Sequence, residues 1–144
     1  MLFSGINNDI KSKDEILSII SSEQFKNIFL NKNIQNVIIF GSLSNDNFNE
    51  ESDIDIAVIP DSEFTFNDEI DIESQLEDLL GREIDIININ SDNVNVLIKF
   101  EALNSKLIVM KNDTLNTTID YYENYYKENE EFWYFLDKAV LYNE

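Results

Sequence analysis

The stretch FGSLSNDNFNEESDIDIAVIP, Phe40 to Pro60, decides the fold. Its second half alternates: Ile54, Ile56 and Val58 fall on one side of an extended chain, and Asp53 and Asp55 on the other. That pattern predicts a strand with one face in a core. Pro60 closes it, because proline donates no ladder hydrogen bond. The other face then carries two carboxylates a few ångströms apart, in a chain already at a formal net charge of −19. Like charges so placed repel unless a cation lies between them, and the fitting one is a hard divalent ion that takes oxygen ligands. A plainer alternative is the solvent side of an amphipathic strand.

Upstream, NVIIF (Asn36–Phe40) is a short β-rich run that Gly41-Ser42 breaks, with a helix expected to open there. A glycine at such a junction lets a phosphate approach the backbone, and a serine hydroxyl with neighbouring N–H groups can hold its oxygens. Downstream, REIDIININ (Arg82–Asn90) alternates again, with Ile84 and Ile86 inward and Asp85 outward. Asp85 can therefore supply a third carboxylate from a neighbouring strand. Asp53, Asp55 and Asp85 form a candidate Mg²⁺ site that leaves positions open for water and substrate phosphates.

The rest of the chain completes an α/β pattern. Ser12 and Glu15 fit a capping box, and Ile16, Ile19, Ile20, Ile28 and Phe29 predict one apolar helical face. Asp68 to Leu80 reads as a helix with Gly81 as its C-terminal cap. Asp92 to Asn104 reads as helix, KLIVM (Lys106–Met110) as strand, and Asp113 to the end as helix. The expectation is one α/β domain over residues 1–144, a small mixed sheet flanked by helices, with a C-terminal helical segment from about residue 113. In that segment Leu115, Ile119, Tyr122, Tyr126, Trp133, Leu136 and Val140 recur at helical spacing. A second row, Tyr121, Tyr125, Phe132, Phe135, Ala139 and Tyr142, lies beside them. This face either folds back on the core or anchors a partner, a role for which Tyr and Trp are well suited. Self-association stays open.

Composition excludes several classes. The 144 residues contain no Cys and no His, so disulfides, thiolate metal sites and imidazole catalysis are out. Between Gly41 and Ile98 sixteen acidic residues face one basic residue, Arg82, which repels nucleic acid and favours cations or a basic protein. No apolar run reaches the roughly 18 residues of a membrane span, and the first residues do not resemble a signal peptide; a cytoplasmic chain is expected.

Gly41-Ser42, nine residues, then Ser52-Asp53-Ile54-Asp55 resembles the Gly-Ser…Ser-Asp-Xaa-Asp signature of the DNA polymerase β-like nucleotidyltransferases. The small size is similar to their minimal members, above all the antitoxins paired with HEPN-domain toxins, over about residues 34–112. The resemblance implies a polymerase β-like palm fold and Mg²⁺-dependent transfer of AMP from ATP to a tyrosine of a HEPN ribonuclease. It also implies Gly41, Ser42 and Ser52 at the nucleotide, and Asp53, Asp55 and Asp85 as metal-binding and catalytic residues. One departure stands out: where relatives carry a basic residue after Gly-Ser, this chain reads Ser44-Asn45-Asp46. Lys99 is the candidate replacement, against its alternative as a surface lysine. Arg82 is expected to cap a loop or pair with an acid, with reach to a phosphate as the third alternative. A degenerate member that neutralises its toxin by binding alone, or an enzyme that adenylylates a small molecule, are the rival readings.

Overall fold

The computed structural model describes residues 10–129. In chain order its elements are α1 (Lys13–Ile20), α2 (Glu23–Leu30), β1 (Ile34–Phe40), a 3-10 turn (Gly41–Ser44), β2 (Ile54–Pro60), α3 (Phe66–Leu80), β3 (Ile84–Asn88), α4 (Val96–Leu103), β4 (Leu107–Met110) and α5 (Asp113–Glu128). The strands form one sheet in the order β3-β2-β1-β4. β1 runs antiparallel to β2 and to β4, while β2 and β3 are parallel, so the sheet is mixed, as the sequence predicts.

Alternation fixes the register of the central strand. Ile54, Ile56 and Val58 are fully buried and join Ile16, Phe25, Phe29, Val37, Ile39, Ile72 and Leu76 in one core. A buried Ile or Val side chain contributes roughly 1.5–3 kcal/mol. A one-residue slip of β2 would trade those contacts for Asp53 and Asp55 in the core, which makes this register the only tolerable one.

Helix ends follow local chemistry. Ser12 and Glu15 form the expected capping box on α1. The single apolar face read across residues 16–29 is carried by two helices rather than one. Ser22 Oγ accepts the Phe25 N–H (3.2 Å) and so starts α2 afresh, a cap that outcompetes continuation of α1. Helix α3 starts two residues before the predicted Asp68, because Thr65 and Asp68 make a reciprocal capping box. It ends at Gly81, whose φ of 67° is the left-handed cap conformation. Helix α4 is shorter than the predicted 92–104, since the Asn95 side chain caps it by accepting the Leu97 N–H at 2.8 Å. Gly41-Ser42 opens a short 3-10 turn instead of an α-helix.

By contacts the chain divides into two compact units, Met1–Asn112 and Asp113–Glu144. The first holds the whole sheet. In the second, α5 is helical to Glu128, and its Tyr121 and Tyr122 rings pack edge to face at 4.9 Å. Trp133, Leu136, Val140, Phe132, Phe135, Ala139 and Tyr142 lie outside the described residues. Among the described residues no helix is long and apolar enough to cross a membrane.

Candidate active site

The site grows out of two strand pairings. In the parallel β2–β3 ladder Asp55 stands opposite Asp85, so both carboxylates leave the same face of the sheet. In the antiparallel β1–β2 ladder Asp55 stands opposite Phe40, which places Gly41 directly beyond it. Gly41 has a φ of +74°, a conformation that side chains disfavour. A Cβ built there would come within 2.1 Å of Asp55 Oδ2 and 3.1 Å of its Cγ. Glycine at position 41 is thus required twice, by the turn and by the carboxylate that occupies the missing side chain's space.

The turn is locked from inside. Ser44 Oγ donates to the Gly41 carbonyl at 2.7 Å and Asn45 Nδ2 donates to the same oxygen at 3.2 Å. The Asn45 N–H bonds the Ser42 carbonyl at 3.2 Å, and Lys13 Nζ, reaching across from α1, donates to the Asn45 carbonyl at 2.7 Å. The loop from this turn to β2 is held by Arg82. Its Nη1 donates to the carbonyls of Asn49 (3.0 Å) and Ser52 (2.7 Å), its Nη2 to that of Lys11 (3.3 Å), and its guanidinium lies 4.5 Å over the Phe48 ring. Of the roles expected for Arg82, loop capping is the one seen. Ser52 Oγ accepts the Asn49 N–H (3.0 Å), so its hydroxyl serves the same loop.

Electrostatics single out Asp55. Burial, then the charges of Asp85, Glu101 and Asp53, raise its carboxyl to about 6 from the ordinary 3.8. Glu101, on α4, is a fourth carboxylate facing the site that sequence patterning missed. It sits on an exposed helical position where nothing but the tertiary fold marks it. Lys99 departs from its surface expectation: it is 6% exposed on α4, which packs against β1 and β2. Burial of a long side chain between a helix and a sheet leaves no sequence signal beyond its apolar neighbours.

An open cleft of about 480 Å³ runs past the turn. It is lined by Gly41, Ser44 and Asn45 of the turn together with Glu101, Asn104 and Lys106. Its volume falls within the roughly 300–1,000 Å³ of small-ligand sites.

Among the described residues no three carboxylates are drawn together as a ready-made metal cage. The donor set nevertheless fits a hard cation. Asp53, Asp55 and Asp85 offer only oxygen ligands, two of them in register on adjacent strands, and Asp55 bears the repulsion that a cation would relieve.

A mixed sheet with an Asp-Xaa-Asp strand and a Gly-Ser turn at its end defines a nucleotidyltransferase. Residues 23–114 match the model for the polymerase β nucleotidyltransferase family, and the chain belongs to that family. Over 83 residues it is 32% identical to a Methanocaldococcus jannaschii protein named as a protein adenylyltransferase, covering 58% of this chain and 87% of that one. Its fold is similar to a chain of a toxin–antitoxin complex with AMP-PNP, with a TM-score of 0.60 and 16% identity over 80% of this chain and 94% of that one. It is also similar to a chain of the complex between tri-AMPylated Shewanella oneidensis HEPN toxin and MNT antitoxin, with a TM-score of 0.58 and 14% identity over 86% and 98% of the two chains. At these identities the structural likeness is one of fold.

Proposed function

We propose that this nucleotidyltransferase is the antitoxin of a HEPN toxin pair, a cytoplasmic enzyme that moves AMP from ATP to a tyrosine hydroxyl of its partner. The observation that carries the reading is the pairing of Asp55 with Asp85 beside the Gly41 turn. It supports a phosphate site and a carboxylate site on one sheet end, which is what transfer from a nucleoside triphosphate needs. The names of the similar proteins supply the direction of the proposal, AMP transfer within a toxin–antitoxin pair.

In this reading Gly41 and Ser42 receive the triphosphate at the turn, with Ser52 ordering the loop behind it. Asp53, Asp55 and Asp85 would hold Mg²⁺. When bound, the ion supplies charge neutralisation at the transferred phosphate and lowers the proton affinity of the attacking hydroxyl. The tyrosine oxygen attacks the α-phosphorus, the bond to the β-phosphate oxygen breaks, and pyrophosphate leaves. The phenolic proton passes to Asp85, the exposed member of the carboxylate set. The acidic surface and the exposed tyrosines of α5, Tyr121 (61%), Tyr125 (38%) and Tyr126 (37%), suit a basic partner protein.

A second reading is favoured by one observation: Asn45 stands where a basic residue is expected, and its amide is turned inward to the Gly41 carbonyl. On that basis the chain neutralises its toxin by binding alone. Intact-mass analysis of the co-purified partner after incubation with ATP and Mg²⁺ separates the two. Catalysis predicts a gain of one or more AMP increments with wild type and none with Asp55→Asn, while both proteins still co-purify with the partner. An unmodified partner that is nonetheless silenced by both proteins establishes binding alone.

A further inference from the structure

The site has one electrostatic gap, and the structure assigns a residue to it. A polyanionic triphosphate at the Gly41 turn would lie among Asp53, Asp55, Asp85 and Glu101, with no cation on the turn itself. Three lysines bear on the problem. Lys99 is buried under α4 and is not among the residues that line the cleft. Lys13 reaches the turn, but its ammonium donates to the Asn45 carbonyl at 2.7 Å, and it too is absent from the cleft wall. Among the described residues Lys106 is the one basic residue lining the cleft, which it shares with Gly41, Ser44 and Asn45. It is exposed, and it makes no ion pair among the described residues.

We propose that Lys106 is the phosphate-neutralising residue of this chain, supplied from the segment just before β4 in place of the basic residue missing from the turn. The proposal rests on the nucleotide-binding reading of the cleft. It deepens that reading by stating where the charge comes from and why the turn tolerates Asn45.

The anchoring of Lys106 is consistent with such a role. The neighbouring Ser105 Oγ donates to the Ile39 carbonyl of β1 at 2.5 Å and accepts the Leu107 N–H at 3.2 Å, which fixes the backbone just before β4. The lysine stem therefore starts from a rigid point while its head stays free to swing into the cleft. An ammonium is a compact charge with rotatable donors, suited to phosphate without requiring the planar geometry of a guanidinium. The same position would make affinity fall steeply with salt, because an exposed charge is screened within about 8–10 Å at ordinary ionic strength.

The test is calorimetric titration of the full chain with ATP and, separately, with inorganic tripolyphosphate, both in Mg²⁺. Lys106→Met is expected to weaken both by about tenfold, the scale of one charge-assisted contact. Lys106→Arg should keep most of the affinity, Asn45→Arg should restore it in the Lys106→Met background, and Lys111→Met, on the exposed segment after β4, should change nothing. A structural role for Lys106 would not be rescued by a cation placed on the turn. Unchanged binding in Lys106→Met, or a loss produced by Lys13→Met in its stead, overturns the assignment and leaves the nucleotide site standing. If wild type binds neither ATP nor tripolyphosphate, the nucleotide reading itself falls and takes the assignment with it.

Discussion

Asp55 concentrates the cost of the site in one side chain. Its carboxyl titrates at about 6 because it is half-buried and faces Asp85, Glu101 and Asp53. In the unfolded chain it titrates near the ordinary 3.8. Between these values the folded state binds more protons than the unfolded state, so this group makes stability fall as pH rises from about 4 to about 6 and level off above. Asp55→Asn removes that dependence. In metal-free buffer the variant should exceed wild type by on the order of 1 kcal/mol at pH 7–8, a figure discounted for the carboxyl's remaining exposure, and the difference should close toward pH 4. Urea unfolding across that range checks it; a variant less stable than wild type at neutral pH contradicts the repulsion. Sequence made Asp53 and Asp55 legible because alternation with Ile54, Ile56 and Val58 leaves them a single face. Glu101 and Lys106 were not legible as site residues. What brings them to the cleft is the packing of α4 and the β1–β4 pairing, which no local pattern encodes.

At the level of elements, Arg82 is a clip joining three segments. It binds carbonyls of the loop before β2 and of the segment before α1, and it sits two residues ahead of β3. The Ile54 N–H to Glu83 carbonyl bond (3.0 Å) runs beside it, so the entry of β2 and the entry of β3 are aligned together. That alignment is what brings Asp55 opposite Asp85. Arg82→Ala strands partly buried carbonyls and removes the contact with Phe48, and should cost about 2–3 kcal/mol in urea unfolding. Hydrogen exchange of residues 45–53 should accelerate more than that of α3. Lys at this position would recover only part, since one ammonium cannot span the three acceptors in the same fork geometry. An unchanged unfolding midpoint in Arg82→Ala would mean the loop is held by its own turns. Strand positions and the Gly81 cap were readable from alternation and from glycine. The break between α1 and α2 was less so, because Ser21-Ser22 can continue a helix or restart one, and the choice is made by burial of Phe25 and Phe29.

Over the whole molecule the charge of −19 acts in two directions. It favours the approach of cations and basic proteins, and it makes any polyanionic substrate dependent on a few well-placed positive charges. The chain can work as a nucleotidyltransferase only if its carboxylate end, its turn and its cleft act on one triphosphate. The most direct measurement follows the phosphate itself. The chain, the HEPN-type partner proposed for it and Mg²⁺ are incubated with ATP labelled at either the α- or the γ-phosphate. The account predicts that α-label becomes covalently attached to the partner, that γ-label is released as pyrophosphate, and that Asp55→Asn abolishes both while the complex persists. Label from the γ-position on the partner, or equal α-labelling by Asp55→Asn, would contradict it.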